Sequence, residues 1–161
     1  MKTIIVYCSK TGTTEKVAHA LRRALPESTD MLRLDLNVVG LQQNYNANFT
    51  IDLEDYDLIF LGGWTMVMRV HPFTACYIKE CLNLENKTIA GFFTGAAIFS
   101  RSHVQSDLEQ LLAQQGARLI DFHFVTTLFG PALTQTKLRK AEEFARSVFG
   151  QHQRLADTQN T

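Results

Sequence analysis

Residues Tyr7 to Thr14, with the sequence Y-C-S-K-T-G-T-T, decide the fold that we predict for this chain. The short apolar run Ile4-Ile5-Val6 precedes them, and apolar residues follow between positions 17 and 25 at helical spacings of three and four. The pattern predicts a strand, a tight polar loop and the start of a helix. Because the first backbone N–H groups of a helix lack internal partners and lie at the positive end of its dipole, the stretch predicts an anion site that suits a phosphate.

The composition of this loop narrows the kind of phosphate site. Four of its side chains carry hydroxyl groups: Ser9, Thr11, Thr13 and Thr14. A Walker loop is excluded because Lys10 precedes the single glycine, Gly12, and a dinucleotide fingerprint needs three glycines. A hydroxyl-rich loop of this kind suits a terminal phosphomonoester. An ordinary capped strand-to-helix turn is the alternative, since hydroxyl residues are common helix caps.

Length and composition bound the class of protein. A chain of 161 residues with 45% hydrophobic residues is long enough for one domain with its own core. We assign that domain to residues 1–150 and expect a polar, flexible tail over residues 151–161. Basic and acidic residues number 16 each, so nothing in the total charge suggests nucleic acid or an anionic membrane as a partner.

The cysteines indicate a reducing compartment. Cys8, Cys76 and Cys81 have neither C-x-x-C nor metal-finger spacing, and an odd count without a signal sequence fits the cytoplasm. We therefore expect a cytoplasmic protein without a bound metal. No apolar stretch approaches the roughly 20 residues that a membrane-spanning helix needs.

Strand and helix patterns alternate along the chain. Five strands are predicted, at about Thr3–Tyr7, Met31–Leu36, Leu58–Leu61, Lys87–Phe93 and Leu119–Val125. Four helices are predicted, at about Thr13–Leu25, Pro72–Leu82, His103–Gln115 and Thr134–Phe149, whereas residues 37–55 fit either a short helix or a loop. The alternation predicts an α/β fold, a doubly wound five-stranded parallel sheet with helices on both faces.

The first loop also resembles a known family. Ser9-Lys10-Thr11-Gly12-Thr13-Thr14 resembles the S/T-x-T-G-x-T phosphate loop of flavodoxins and flavodoxin-like FMN proteins, in which it follows the first strand. The resemblance covers roughly residues 2–149 and implies the strand order 2-1-3-4-5 of a short-chain flavodoxin. In such sheets the ligand lies beyond the carboxyl ends of strands one and three. Loops starting near Ser9, Gly62 and Thr94 would meet there.

The second of these loops contains the only tryptophan of the chain. The resemblance implies that Gly63, Trp64, Thr65 and Met66 contact the flavin, with Trp64 stacked on the isoalloxazine ring. Packing of Trp64 over the sheet end or under the next helix is the alternative. Met66 either packs against the dimethylbenzene edge of the ring or belongs to the core.

The third loop matches the family in position but not in its usual residues. The resemblance implies backbone contacts to the pyrimidine end of the flavin from a run of small residues: Thr94, Gly95, Ala96 and Ala97. Common flavodoxins carry an acidic residue and a tyrosine here, whereas this chain has Ala97 and Phe99. Phe99 is therefore either a second stacking partner or a core residue.

The predicted function is FMN-dependent electron transfer between redox partner proteins, a reductase and an acceptor. The cofactor would supply the chemistry, so no side chain is required as a catalytic acid or base. The zero net charge departs from the acidic surface of most flavodoxins. Two alternatives stay open: an FMN-dependent oxidoreductase of the quinone or protoporphyrinogen type, and a flavin-free binding module. We expect a monomer or weak dimer, with no nucleic acid partner and no membrane span.

Overall fold

The structure is a computed structural model that describes residues 1–34, 51–80, 82–97, 99–127 and 133–159. The predictions made for residues 35–50, including the end of the second strand, lie outside the described residues. The same holds for Cys81.

Six strands and four helices follow one another in the described residues. The strands are β1 Thr3–Tyr7, β2 Asp30–Arg33, β3 Leu58–Met66, β4 Arg69–Val70, β5 Thr88–Gly95 and β6 Arg118–Thr126. The helices are α1 Thr13–Ala24, α2 Pro72–Glu80, α3 Ser100–Gln114 and α4 Gln135–Gln159. The five main strands are parallel in the order β2-β1-β3-β5-β6, and, within the part of the chain that the structure describes, β4 pairs only with β3. The predicted fold and strand order are therefore confirmed, with one short antiparallel strand added.

The sheet is covered on both faces, as its continuous apolar strands require. Ile4, Val6 and Leu61 pack on one side of it against α2 and α3. Ile5 and Phe60 pack on the other side against α1 and α4. Alternate residues of each central strand thus enter different cores, which explains why β1 and the first half of β3 lack the polar alternation of an exposed strand.

Two of the predicted loops are in fact strand. β3 continues through Gly63, Trp64, Thr65 and Met66, and β5 continues through Thr94 and Gly95, so the prediction that these residues form loops is wrong. The glycines were interpreted as turn residues, but the structure uses Gly63 for close packing. A Cβ at Gly63 would lie 2.8 Å from the Thr74 hydroxyl and 2.9 Å from the Phe93 ring.

The last helix is longer than predicted. The sequence pattern placed its end at Phe149, whereas α4 continues to Gln159, so most of the predicted tail is helical. Arg23 of α1 pairs with Glu142 of α4 at 3.0 Å and ties the two helices together on their exposed side. Among the described helices, none combines the length and the apolarity needed to span a membrane.

Candidate functional site

The carboxyl ends of β1, β3 and β5 bring the three predicted segments together. Tyr7 pairs with Gly62 across β1 and β3, and Trp64 pairs with Thr94 across β3 and β5. The loop after β1, the end of β3 and the end of β5 therefore meet at one edge of the sheet, as the sequence predicts. We call this edge the carboxyl edge.

The loop between β1 and α1 forms the cup of an anion site. The Ser9 hydroxyl, which is buried, accepts a hydrogen bond from the Gly12 N–H at 3.1 Å and closes the loop. Gly12 has a φ of 83°, a left-handed conformation that suits glycine, and it immediately precedes α1. Among the described residues, no side chain caps this helix start. Its first N–H donors and the positive end of its dipole thus fit a phosphate group.

The hydroxyl groups of this loop point to different surroundings. The hydroxyls of Thr11 and Thr13 lie 3.3 Å apart at the open side of the cup, and Lys10 is exposed beside them. The Thr14 hydroxyl instead lies inside, 2.9 Å from the Thr94 hydroxyl and 3.4 Å from the Gly63 carbonyl oxygen, to which it donates. Because that hydroxyl is bonded to the sheet, any contribution of Thr14 to an anion site comes through its backbone N–H.

Trp64 packs on the start of α2. Its ring centroid lies 4.4 Å from that of His71 and 6.0 Å from that of Phe73, and its carbonyl accepts the His71 N–H at 3.2 Å. This is the packing arrangement that the sequence left as the alternative to flavin stacking. The indole is nevertheless only half-buried, so part of it stays accessible at the carboxyl edge.

His71 caps α2. Its Nδ1 atom accepts the N–H of Phe73 at 3.2 Å, which places the proton of the neutral ring on Nε2. Burial, and secondly the charge of Lys10, hold the pKa of His71 below its usual value.

A tight hairpin turn follows β3. Met66 pairs with Arg69, and the two residues between them, Val67 and Met68, have φ values of 47° and 62°. Two consecutive residues with positive φ are typical of a type I′ turn, which favours Asn and Gly. The N–H of Val70 donates to the Asp107 carboxylate at 2.9 Å and anchors the hairpin to α3. The sequence contains no turn signal at these positions, so the hairpin was missed.

The third segment changes the interpretation of Phe99. Thr94 and Gly95 are buried in β5, Ala97 is half-buried and Ala96 is exposed. Phe99 is 69% exposed, so the alternative of a core position is wrong. Its ring is available to a ligand at this edge.

Cys8 is a packing residue. Its side chain is buried, and Sγ lies 2.8 Å from the Thr74 hydroxyl. Burial raises the pKa of the thiol to about 12, so it stays protonated at neutral pH and is not a reactive thiolate.

A groove of about 230 Å³ lies between the hairpin and α3. Its lining includes Val67, Met68, Arg69, His103 and Asp107. The apolar turn, the Arg69 cation, the His103 imidazole and the Asp107 carboxylate give the groove both apolar and polar contact groups. No sequence motif pointed to it, because the lining comes from two distant segments of the chain.

Most of the chain matches a known domain model. Residues 4–143 match the family model described as a flavodoxin domain. A curated relative, the flavodoxin-like domain-containing protein BilS of Clostridioides difficile (strain CD3), is 31% identical over 111 residues. That match covers 69% of this chain and 56% of BilS, so the chain spans about half the length of this relative.

Solved structures resemble the fold. A flavodoxin from the domain Archaea superposes with a TM-score of 0.66 at 16% identity, covering 95% of this chain and 99% of that protein. A flavoprotein from Lactobacillus acidophilus NCFM, solved in complex with FMN, superposes with a TM-score of 0.58 at 19% identity, covering 76% of this chain and 92% of the other. At these identities the likeness concerns the fold alone.

Proposed function

Because the chain belongs to the flavodoxin domain family, we propose that it binds FMN at the carboxyl edge and passes electrons between redox partner proteins. The observation that carries the proposal is the cup formed by Ser9–Thr14 at the uncapped start of α1. It lies beside β1 and β3, where strand order reverses and where ligands of such sheets bind.

The phosphate end of FMN would be held by the first loop. The hydroxyls of Thr11 and Thr13 and the N–H groups that follow Gly12 supply donors, and the exposed Lys10 supplies a positive charge. The buried Ser9 and the inward-facing Thr14 stabilise the conformation of the loop by hydrogen bonding. Thr11, Thr13 and Lys10 would thus contact the phosphate, whereas Ser9 and Thr14 would position the loop.

The ring end would be held by the ends of β3 and β5. Trp64 and Phe99 offer aromatic surface, Met66 offers a flexible apolar edge, and the backbone from Thr94 to Ala97 offers hydrogen-bonding groups. When bound, FMN supplies the electron chemistry, and the protein sets the surroundings of the ring. We propose a reducing cytoplasm as the location, which the odd number of cysteines and their spacing support.

The first test is the visible absorption spectrum of the purified protein, with and without added FMN, followed by anaerobic reductive titration. We expect flavin bands that shift on binding and reduction in two resolved one-electron steps. Absence of binding with excess FMN would reject the cofactor and favour a flavin-free module.

Two double variants distinguish a loss of contacts to the phosphate from a general effect of removing two hydroxyl groups. We expect Thr11→Ala combined with Thr13→Ala to weaken FMN binding about a hundredfold, since two hydrogen bonds to a charged group are lost. The matched control is Ser147→Ala combined with Thr158→Ala, which removes two hydroxyls from the exposed side of α4. Equal affinity of both double variants would remove the two threonine hydroxyls from the site.

The groove beside the hairpin favours one second candidate function, an FMN-dependent oxidoreductase with its own small substrate. Bound FMN that is reduced directly by a nicotinamide or a quinol, in one two-electron step, would support this candidate over the carrier. Arg69→Ala should then raise the KM for that substrate, because Arg69 lines the groove.

A further inference from the structure

The zero net charge of the chain conceals an uneven charge distribution. Lys10, Arg69 and Arg101 are all exposed, and each follows the carboxyl end of a different strand or belongs to the hairpin there. At the opposite edge, the segment that leads into β3 carries four acidic residues: Asp52, Glu54, Asp55 and Asp57. The carboxyl edge thus carries exposed cations, whereas these carboxylates lie at the other edge together with Lys2, which pairs with Asp55 at 3.5 Å, and Arg118.

Within the described residues, the acidic side chains near the carboxyl edge are already engaged. Glu15 forms an ion pair with Arg33 at 2.9 Å and also accepts a hydrogen bond from Tyr7. Asp107 accepts the N–H of Val70. Arg33 ends β2 at this same edge and compensates the charge of Glu15, whereas Asp107 lines the groove together with Arg69 and keeps its negative charge. Because Lys10 and the positive end of α1 face the proposed phosphate, Arg69 and Arg101 are the cations of this group that remain for a partner.

Exposed apolar side chains gather at the same edge. Val67 is 86% exposed at the tip of the hairpin, Met66 is exposed at the end of β3, and Phe99 is exposed between β5 and α3. Isolated exposed hydrophobic residues are normal, but several together, surrounded by charge, are typical of an interaction surface.

The conformation of Val67 gives an independent reason to assign it a contact role. A β-branched residue with a φ of 47° is strained, and Gly or Asn would satisfy the turn without strain. An almost fully exposed valine does not repay that strain by packing in the core. Strain of this kind is found where the side chain serves a function.

We propose that the carboxyl edge docks an acidic electron-transfer protein, with Val67 as an apolar contact and Arg69 among the surrounding cations. This inference rests on the proposed function. It states the chemistry of the partner: a redox protein with carboxylates around an apolar patch. Complementary charge would steer the encounter and set the orientation, while the hairpin tip provides contact area. The local positive charge of this edge would thus steer the partner, although the net charge of the whole chain is zero.

The test compares two electron-transfer proteins of opposite charge. FMN-loaded protein is titrated calorimetrically at low ionic strength with an acidic plant-type ferredoxin and, separately, with the basic cytochrome c. We expect at least tenfold tighter binding of ferredoxin, with an affinity that falls steeply as salt is added. Tighter binding of cytochrome c, binding of neither protein, or an affinity independent of salt would overturn the proposal.

Charge reversal locates the surface. Arg69→Glu should weaken ferredoxin binding at least fivefold and reduce its salt dependence, whereas Arg118→Glu, the same change at the opposite edge, should leave it unchanged. Val67→Ser should weaken binding, and Ile120→Ser, at an exposed position on β6, should not. Arg101 is left intact because its guanidinium also bonds the Phe122 carbonyl. Equal effects at both edges would reject the assignment.

The same measurements keep the two proposals distinguishable. Loss of FMN binding by the wild-type protein contradicts the proposed function, and ferredoxin binding by the flavin-free protein then still tests the surface. If Arg69→Glu impairs turnover of a small substrate but leaves ferredoxin binding unchanged, the charge serves the groove and the docking proposal is wrong.

Discussion

The two connections that follow β1 and β3 are neighbours at one edge of the sheet, yet they differ in the residues that occupy their left-handed backbone positions. In the first, Gly12 occupies the left-handed conformation that glycine tolerates best, and Ser9 closes the loop by hydrogen bonding. In the second, Val67 and Met68 occupy left-handed positions that β-branched and bulky residues disfavour. The backbone conformation of the first connection is therefore one that its residues prefer, whereas the conformation of the second is one that its residues disfavour.

The difference indicates what each connection contributes. A loop that satisfies its own backbone can present a fixed cup of N–H groups, which is what binding of a phosphate requires. A hairpin that keeps valine at a strained and exposed tip retains that residue for contact rather than for stability. Variants at the two connections should consequently differ in the sign of their effects.

The largest effect is expected where the two regions are joined. Thr14→Val removes a hydroxyl that bonds Thr94 and Gly63, and it leaves those buried groups without this partner. We expect a loss of about 1–3 kcal/mol in the free energy of unfolding, measured by chemical denaturation. Thr14→Ser keeps the hydroxyl and is the control. Equal stability of the valine and serine variants would show that the link does not hold the edge together.

The next effect tests the first connection by itself. Gly12→Ala forces a side chain into a left-handed conformation and should cost about 1–2 kcal/mol of stability. FMN affinity should fall about tenfold if the loop shifts enough to lose one good hydrogen bond. Gly150→Ala is the matched control, because a Cβ there has no neighbour within 4 Å and helix propensity favours alanine. We expect it to stabilise the protein without changing FMN affinity.

The same contrast explains which parts could be predicted from the sequence. The first loop follows from local rules: an apolar strand, hydroxyl residues, one glycine and a helical period. The sequence M-V-M-R offers no turn residue, so neither the hairpin nor β4 was predictable from local preference. The extension of β3 was missed because Gly63 was interpreted as a turn signal, whereas its role is to make room for Thr74 and Phe93.

Long-range effects account for the other differences. The exposure of Phe99 depends on where β5 and α3 place it, and sequence alone left two alternatives. Total charge showed neutrality but not which charged side chains lie at the carboxyl edge, since that depends on topology. Both features bear on function, and both required the arrangement of distant segments to be known.

At the second connection, the change in the free energy of unfolding is expected to have the opposite sign. Val67→Gly relieves the left-handed strain, so the free energy of unfolding should rise by about 1 kcal/mol despite the added flexibility of the unfolded chain. Thermal unfolding of the variant and the wild type measures the change. Val67→Ala is the control, because it shortens the side chain but keeps a Cβ in the same conformation. A destabilised glycine variant would contradict the interpretation of the turn as strained.

The smallest effect concerns His71, which caps α2 directly after the hairpin strand β4. Its Nδ1 caps α2 only when unprotonated, and burial and Lys10 lower the pKa of His71 in the folded state. Because the unfolded chain then binds more protons, this contribution to stability is present above about pH 6.5 and declines as the pH falls below it. His71→Asn keeps a capping oxygen without the titration, so its unfolding free energy should fall less between pH 7.5 and 5.0 than that of the wild type.

His123 must be separated from this effect, because burial, followed by the charge of Arg101, also lowers the pKa of His123. His123→Gln removes that second titration and leaves the cap of α2 intact. If the pH dependence persists in His123→Gln and weakens in His71→Asn, the cap of α2 is the group that responds to protonation. If only His123→Gln weakens it, the start of α2 does not respond to protonation.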